Sequence, residues 1–295
     1  MTGRETGQDA PVTHRCAVIG HPAAHSLSPA LHRAAYATLG LSDWSYEAID
    51  VEPGHLDEFW ATLDSSWVGL SVTMPFKSEI IAHGSPEPLV TELNAANTII
   101  FGSSGERPGP PESNRCYNTD VPGMTGALAH RGLTSATTAI LVGAGATARS
   151  GLAALSRIGV NRVEVVARSA ERAHASLDEV AARYGIDLDV TGWDRLGGLG
   201  TDRADLLLST APVEFTDAEA AQIVRCAPVV FDVFYEQYPS ALSRAAASAG
   251  RVSVDGIDLL VFQGIGQVRL MTGRTPDPQP LLDACVAELA RRRDS

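Results

Sequence analysis

Short apolar runs alternate with helix-length segments over the first hundred residues of the chain. This alternation is typical of a parallel sheet whose strands are joined by crossover helices. The predicted elements, in chain order, are a strand at 16–20, a helix at 29–39, a strand at 45–49, a helix at 55–62, and strands at 68–72 and 98–101. The stretch 103–113 is rich in glycine, proline and serine, so we expect a surface loop or hairpin connection there, where the first series ends.

A second alternating series begins at Ala139 and predicts a Rossmann-like unit. Its predicted strands are 139–142, 163–167, 188–190, 206–209, 229–233 and 252–254, with helical segments between them. Two further helices are predicted after Gly256, at 259–272 and 279–293, separated by a proline-rich segment. Three consecutive arginines end the second of these helices, where the helix dipole favours positive charge.

Composition and charge narrow the class of protein. The 295 residues are enough for two domains with separate cores, and fractions of 44% apolar and 20% charged residues are typical of a soluble globular protein. No apolar run approaches the roughly 18 residues of a membrane span. The net charge of −12 argues against binding of nucleic acid or a membrane surface, because phosphates need a concentrated positive face. Residues 1–13 are polar and have no hydrophobic signal core, so we expect a disordered leader and a cytoplasmic protein.

Cysteine and histidine do not form a metal-binding pattern in this chain. His21 and His25 lie close together in the sequence, but neither has further Cys, His or carboxylate partners at a metal-ligand spacing, so no metal is expected. The four cysteines are too widely spaced for a zinc knuckle or a redox pair. We expect buried thiols at Cys16, Cys116, Cys226 and Cys285.

A glycine-rich motif follows the strand 139–142 directly and precedes a helix predicted to extend to about residue 158. It matches G-x-G-x-x-A and comprises Gly143, Ala144, Gly145, Ala146, Thr147 and Ala148. The first glycine permits a tight turn, the second lets the backbone approach a pyrophosphate, and the final alanine keeps the helix close to the sheet. Unpaired N–H groups at the start of the helix would meet the phosphates. Such a loop can be a simple turn, but a strand before it and a helix after it favour a dinucleotide site.

The next strand indicates which dinucleotide is bound. An NAD site usually has Asp or Glu about 20 residues further on, where the carboxylate accepts a hydrogen bond from the ribose 2′-hydroxyl. Here the strand 163–167 runs into Arg168 and Ser169, with Arg172 one helical turn later. A guanidinium pairs well with a 2′-phosphate, which a carboxylate would repel, so these residues predict NADP. The alternative is that both arginines are surface residues at the start of a helix.

The candidate for catalysis is Lys77, a titratable amine just beyond a proline-stiffened turn that follows the strand 68–72. Open α/β sheets bind small molecules at the carboxyl ends of their strands. Taken alone, Lys77 is most simply a solvated surface residue. Polar clusters elsewhere support a catalytic role, namely Ser26 and Ser28, Asn97, and Asp120. Ser26 has no evident structural role, but the others have structural alternatives: Ser28 suits a helix N-cap, Asn97 a turn or cap, and Asp120 a cap for the helix after Pro122.

In chain order, S-x-S-P at 26–29, V-T-x-P-x-K at 72–77, N-T at 97–98 and N-T-D at 118–120 resemble the pattern of the shikimate dehydrogenase family. The resemblance extends from residue 16 to the C-terminal helix. It implies an α/β fold with an N-terminal substrate domain, a Rossmann-like dinucleotide-binding domain, and C-terminal helices that return to the substrate domain. We therefore expect a substrate-binding catalytic domain at 14–119 and 256–295, and an NADP-binding domain at 120–255.

The resemblance also implies an activity, the NADP-dependent interconversion of 3-dehydroshikimate and shikimate. Lys77 and Asp120 would meet across the cleft, contact substrate hydroxyls and handle the proton. The implied substrate-binding residues are Ser26 and Ser28 for the carboxylate, Thr73 and Asn97 for ring hydroxyls, and Tyr235 and Gln263. From the sequence alone, Tyr235 could instead be a half-buried core aromatic, and Gln263 an exposed helix residue.

Departures from the family pattern leave alternatives open. Ala167 and Ser169 replace the asparagine and threonine of an N-R-T-like cofactor clamp, and Ser209, the further cofactor-binding candidate, begins Ser-Thr-Ala where many relatives have N-A-T. Asp258 stands where many have glycine and could alter the charge near the nicotinamide, and Gly264 stands where alanine is common. A quinate, quinate/shikimate or aminoshikimate dehydrogenase, use of NAD, and a non-catalytic nucleotide-binding regulator all remain possible. We expect a monomer or a homodimer.

Overall fold

The computed structural model describes residues 11–102 and 108–294. Within these residues the first part of the chain forms a six-stranded sheet with the order β2-β1-β3-β5-β6-β4. Its strands are β1 His14–Gly20, β2 Trp44–Asp50, β3 Trp67–Val72, β4 Ser85–Pro86, β5 Thr98–Ile100 and β6 Arg115–Tyr117. The predictions at 1–10 and 103–107 lie outside the described residues.

The expectation of an all-parallel first sheet is wrong at one strand, β5. β1 pairs in parallel with β2 and β3, but β5 runs antiparallel to both β3 and β6. β5 and β6 follow one another as an antiparallel pair. The sequence could not predict this, because a pattern of apolar runs carries no information on strand direction. β4 and β6, of two and three residues, were not predicted because they are too short to form a recognisable run.

The second sheet is parallel throughout, with the order β12-β11-β10-β7-β8-β9. Its strands are β7 Thr138–Val142, β8 Arg162–Ala167, β9 Asp187–Gly192, β10 Leu206–Ser209, β11 Val229–Asp232 and β12 Val252–Val254. All six were predicted. The strand order reverses between β7 and β10, which is the switch point where doubly wound sheets bind nucleotides.

Ten α-helices cover these sheets in the described part of the chain. They are α1 Ser28–Leu39, α2 Leu56–Trp60, α3 Pro88–Leu93, α4 Asp120–His130, α5 Ala146–Arg157, α6 Ala170–Tyr184, α7 Asp217–Ile223, α8 Ala241–Ser248, α9 Gly256–Thr272 and α10 Pro278–Arg293. Short 3₁₀ helices occupy Glu79–His83, Pro111–Ser113, Trp193–Gly198 and Val224–Cys226.

The two C-terminal helices return to the first sheet, as predicted. Leu31 of α1 is buried in one apolar cluster with Val261 of α9 and Leu281 of α10. A Cβ on Gly264 would lie 2.7 Å from Leu31 Cδ1, so glycine at this position permits the close approach of α9 to α1. The α/β architecture with returning C-terminal helices is therefore confirmed.

The remaining composition-based expectations can be compared with the described residues. All four cysteines are free and buried, and burial raises the pKa of each thiol to about 12. Within the same residues there is no group of three or more His, Cys, Asp or Glu side chains that could hold a metal ion. None of the helices in the described ranges is long and apolar enough to cross a membrane.

Candidate active site

Lys77 follows the turn that ends β3, at the carboxyl edge of the first sheet. Phe76 is fully buried and anchors this turn in the core, while the Lys77 carbonyl accepts the N–H of Ala96 at 2.7 Å. The Lys77 side chain is only 18% exposed, and its Nζ lies 2.6 Å from Oδ2 of Asp120. The interpretation of Lys77 as a solvated surface residue is therefore wrong.

Asp120 is the first residue of α4 and is 6% exposed. It does not cap that helix, whose N-cap is Thr119 without a side-chain bond. Instead, the side-chain Oδ1 of Asn118 accepts the N–H groups of Asp120 at 3.0 Å and Val121 at 3.3 Å. The capping role that Asp120 could have had thus belongs to Asn118. The carboxylate of Asp120 remains available to Lys77 on one oxygen and to Asn97 on the other.

Asn97 is the centre of a buried amide network beside this ion pair. Its Nδ2 lies 2.7 Å from Asp120 Oδ1, 2.9 Å from Thr119 Oγ1 and 3.3 Å from Gln263 Oε1. Its Oδ1 accepts the backbone N–H of Thr119 at 2.8 Å. Gln263 is 8% exposed and donates to the carbonyl of Leu260 at 2.8 Å, so the alternative of an exposed helix residue is wrong.

The local structural role that the sequence suggested for Ser28 belongs to Ser26 instead. The N-cap of α1 is Leu27, which provides no side-chain hydrogen bond, and Ser28 is the first residue of the helix and is buried. Ser26 is the residue with a local structural bond, because its Oγ accepts the N–H of Ser28 at 3.2 Å. The Ser28 hydroxyl is thus not used as a cap.

A cavity of about 290 Å³, the central cavity, brings all the predicted catalytic and substrate-binding residues together. Its lining includes Ser26, Ser28, Thr73, Lys77, Asn97, Asp120, Tyr235 and Gln263. Tyr235 reaches it from the loop after β11, and burial raises the pKa of its hydroxyl to about 12. Residues far apart in the sequence thus surround one space of the size and mixed lining that small-molecule sites show.

The floor of the central cavity contains residues that were not predicted. Ser71 donates to Gln267 Oε1 at 2.9 Å and accepts from the Tyr46 hydroxyl at 2.6 Å. Gln267 Nε2 in turn donates to the carbonyl of Asn97 at 3.2 Å. Gln267 lies four residues after Gln263, and hence on the same helix face. Ser71, in β3, lies two residues before Thr73, a spacing that places side chains on one side of an extended chain. Those two spacings are the signals that could have identified them.

His32 is fully buried behind this floor. Its ring stacks on Tyr46 with the centroids 3.8 Å apart, and its Nε2 lies 3.4 Å from Gln267 Oε1, while Nδ1 has no partner. Desolvation lowers the pKa of His32 to about 3, because a charged imidazole cannot keep its hydration there. His21 and His25 line the central cavity, and His21 Nδ1 contacts Asp50 Oδ1 at 2.6 Å.

The glycine-rich motif forms one wall of a second space, the dinucleotide groove, of about 300 Å³. Gly143 has a φ of 104°, which an L side chain rarely adopts, and a Cβ there would lie 2.7 Å from Thr210 Oγ1. Gly145 is the N-cap of α5, and a Cβ added to it would meet nothing within 4 Å. The backbone is therefore open to a ligand at this point, and fully buried Ala148 holds α5 against the sheet.

The predicted cofactor residues are not all at the surface of this groove. Gly143, Ala144, Gly145, Arg168, Ser169 and Arg172 line it. Ala146 and Thr147 lie in the first turn of α5, outside the lining, and Ala148 and Ser209 are fully buried. At the end of β10 the lining is provided by Thr210 and Ala211 instead of Ser209.

Arg168 follows β8 directly, and its guanidinium lies 5.2 Å above the ring of Trp193. Ser169 is the N-cap of α6 and accepts the N–H of Arg172 at 3.3 Å. Among the described residues that line the groove there are two arginines and no carboxylate. Trp193 was not predicted, since it lies on a short 3₁₀ helix after β9 with no motif around it.

Asp258 does not leave a free charge beside the groove or the cavity. Its side chain is 0% exposed and forms two hydrogen bonds of 2.9 Å with Arg131, at the end of α4. It also accepts the N–H of Asp255 at 3.1 Å in a capping box at the start of α9. Arg131, 127 positions away in the chain, thus offsets the charge of Asp258, and an effect of Asp258 on the nicotinamide stays a prediction.

The chain is similar in sequence to known proteins of one family. A family model described as the shikimate dehydrogenase substrate binding domain matches residues 18–99. The chain is 34% identical to a protein of Halorubrum lacusprofundi named shikimate dehydrogenase (NADP(+)), over 92% of this chain and 98% of that protein. A protein of the same name from Methanothermobacter thermautotrophicus is 30% identical, over 95% of this chain and 98% of its own length.

Two solved structures are similar to this chain over nearly the whole fold. The shikimate dehydrogenase of Mycobacterium tuberculosis is 32% identical with a TM-score of 0.81, over 93% of this chain and 99% of its own. A Thermus thermophilus shikimate 5-dehydrogenase, solved in complex with NADP(H) and shikimate, is 28% identical with a TM-score of 0.77, over 93% and 99% of the two chains.

Proposed function

The chain belongs to the shikimate dehydrogenase family, and we propose that it is an NADP-dependent dehydrogenase that interconverts 3-dehydroshikimate and shikimate. The observation that carries the proposal is the Lys77–Asp120 pair, 2.6 Å apart and facing a cavity lined by all the predicted substrate-binding residues. A structural ion pair would not require this surrounding set of serines, amides and a tyrosine.

The dinucleotide groove fits NADP by the chemistry of its lining. The N-terminus of α5 and the open backbone at Gly145 suit a pyrophosphate. Arg168 and Arg172 suit the 2′-phosphate, and the lining places no carboxylate there to repel it. The ring of Trp193 limits the orientations open to the Arg168 guanidinium.

When bound, the nicotinamide supplies or accepts the hydride, so the chain's own residues orient the ring acid and manage one proton. In the reducing direction the carbonyl oxygen gains negative charge, which the Lys77 ammonium stabilises while donating a proton to it. In the oxidising direction the neutral amine accepts the hydroxyl proton. Asp120 holds the Lys77 amine in place and accepts a hydrogen bond from a neighbouring ring hydroxyl.

The remaining cavity residues orient the substrate. Ser26 and Ser28, on one side of the cavity, donate hydroxyl hydrogens to the ring carboxylate. Thr73 and Asn97 contact ring hydroxyls near the Lys77–Asp120 pair. Tyr235, in the loop after β11, and Gln263, on α9, also contact the ring. A rigid constellation of this kind lowers the barrier by holding the reacting carbon in place before the hydride moves.

Steady-state kinetics with shikimate and quinate, each with NADP⁺ and NAD⁺, tests the proposal. We expect the highest kcat/KM with shikimate and NADP⁺. A higher kcat/KM with quinate would assign the chain to the quinate-using branch instead. Binding of NADP⁺ without turnover of any ring acid would leave only a regulatory nucleotide-binding role.

We also propose the two domains 14–119 with 256–295, and 120–255, a monomeric or homodimeric state and a cytoplasmic location. Sedimentation of the purified protein measures its oligomeric state, and small-angle scattering with and without both ligands tests whether the domains close on them.

A further inference from the structure

The last turn of α10 lies against the segment that connects β1 to α1, residues 21–27, here called the serine loop because it carries Ser26. Arg292 donates from Nη1 to the carbonyl of His25 at 2.8 Å and from Nη2 to the carbonyl of Ser26 at 3.0 Å. One planar guanidinium thus spans two consecutive backbone carbonyls, a geometry that the rigid fork of arginine favours. These contacts join residues 266 positions apart in the chain.

Arg292 is itself held from its own helix. Its Nε donates to Glu288 Oε1 at 2.8 Å, one turn earlier on α10. Hydrogen bonds from Arg291 and Arg292 lower the pKa of Glu288 to about 2, so this carboxylate stays ionised at any working pH. Leu281 and Cys285 of the same helix are fully buried against α1 and α9, which makes α10 a fixed platform for the guanidinium.

The serine loop has no helix or strand of its own that would fix it. His21 at its start donates to the carbonyl of Met74 at 3.0 Å, and Ser26 at its end donates to the carbonyl of Ala23 at 3.0 Å. At the end that faces the central cavity, the fork from Arg292 fixes the peptide planes on both sides of Ser26. The directions of the Ser26 and Ser28 hydroxyls depend on those planes.

We propose that Arg292 is a positioning residue for the substrate carboxylate, acting through the serine loop. The proposal rests on the proposed function, in which Ser26 and Ser28 bind that carboxylate. Arg292 holds the loop in the conformation that directs both hydroxyls towards the carboxylate. Its positively charged guanidinium contacts the backbone of the same loop, at His25 and Ser26. The C-terminal turn of the chain is thereby part of the substrate site, although Arg292 takes no part in the transfer of hydride or proton.

The test compares Arg292→Ala with Arg291→Ala in the full-length protein. Arg291 bonds the same Glu288, and among its described contacts it has none to the serine loop, so it is a matched control. For Arg292→Ala we expect KM for shikimate to rise about tenfold, with kcat and the Kd for NADP⁺ within about twofold of wild type. Arg291→Ala should leave all three unchanged. Arg292→Lys keeps the charge without the fork and should recover only part of the affinity.

The methyl ester of shikimate separates a specific effect on the carboxylate from general loosening. The ester lacks the charge that the serines meet, so Arg292→Ala should change its binding by no more than about twofold. Equal losses for shikimate and its ester, or a shikimate KM equal to that of Arg291→Ala, would overturn the assignment of Arg292. Turnover of shikimate by the wild-type protein in the same assay keeps this outcome distinct from a failure of the proposed function.

Discussion

Asn97 donates a side-chain hydrogen bond to Asp120 at 2.7 Å, on the carboxylate oxygen opposite the one that contacts Lys77. Both oxygens of Asp120 are therefore held, and the carboxylate cannot turn away from the amine. Because the Lys77 and Asp120 side chains are only 18% and 9% exposed, solvent screens their attraction less than at an open surface. The pair is thus held by the protein's own contacts, which is the preorganisation that the proposed proton transfer requires.

Replacement of Lys77 by alanine should lower kcat by about 10²–10⁴-fold, the usual contribution of a positioned acid or base. Binding of NADP⁺ should be nearly unchanged, because Lys77 does not line the dinucleotide groove. Steady-state kinetics and a fluorescence titration with NADP⁺ measure the two quantities. Near-normal turnover by Lys77→Ala would remove the amine from the mechanism.

Chemical labelling offers a second test of Lys77, since it is the only lysine among the 23 Lys and Arg residues of the chain. An amine-selective reagent can therefore modify only this side chain and the N-terminus. We expect shikimate with NADP⁺ to protect Lys77 and to leave labelling of the N-terminal amine unchanged. Mass spectrometry of the peptide that contains Lys77 measures the protection, and equal labelling with and without ligands would contradict the site.

Replacement of Arg168 by alanine should raise KM for NADPH about 10–100-fold and leave KM for NADH nearly constant, because only the phosphorylated ribose uses a charge-assisted pair there. Arg162, at the exposed start of the same strand, provides a control substitution outside the groove. A parallel loss with both cofactors would indicate that Arg168 supports the adenine or the local fold instead of the phosphate.

Replacement of Arg131 by methionine should lower the free energy of unfolding by about 1–3 kcal/mol, because it leaves the buried Asp258 carboxylate without its partner. Arg131 is 41% exposed, so the loss should fall below that of a fully buried pair. Urea denaturation measures it. The exposed Arg183–Glu179 pair serves as the control, and Arg183→Met should change stability by less than about 0.5 kcal/mol.

A double variant tests whether this loss comes from the charge. Asp258→Asn removes the charge and keeps an oxygen that can accept the N–H of Asp255. The cost of Arg131→Met should therefore be smaller in the Asp258→Asn background than in the wild-type protein. Additive losses would mean that Arg131 contributes through packing instead.

The buried His32 predicts a pH dependence of stability. Its pKa is about 3 in the folded protein, below the ordinary value of 6.5, so between these pH values the unfolded chain binds a proton that the folded chain excludes. The contribution of His32 to the free energy of unfolding should therefore fall as the pH drops from 6.5 towards 3. His32→Asn removes the titration, and the stability difference between wild type and variant should shrink as the pH falls.

Denaturation of both proteins at several pH values checks this prediction. The exposed His55 provides the control, since His55→Asn should leave the pH dependence of the wild type intact. A difference between wild type and His32→Asn that stays constant from pH 7 to pH 4 would show that His32 is not the titrating group.

Structural features that depend only on neighbouring residues could be predicted from the sequence. Strands such as β7 and β10 are buried on both faces of a parallel sheet, so each forms a continuous apolar run that is visible without any partner. The motif that begins at Gly143 requires a positive φ that only glycine adopts readily, so the glycine itself indicates the turn. The antiparallel direction of β5 could not be recognised, because an apolar run looks the same whichever way its strand lies in the sheet.

The candidate site shows the same division between local and distant information. Lys77 and Asp120 were identified because each lies in a short recognisable motif, whereas Gln267 and Trp193 have no such neighbours and were missed. The local bond of Ser26 and the capping by Asn118 depend on small shifts in where helices begin, which propensities do not resolve.

The sequence by itself determined the fold class, ten of the twelve described strands in their order along the chain and the dinucleotide motif, and it predicted Lys77 and Asp120 as the reactive side chains. Tertiary structure alone decided that Asn97 occupies the second oxygen of Asp120, that Arg131 neutralises Asp258, and that Arg292 reaches the serine loop from the last turn of the chain. The reason is that backbone conformation and apolar periodicity act over a few residues, while hydrogen bonds and ion pairs between distant segments exist only after helices and sheets have packed and brought those side chains within about 3 Å of each other.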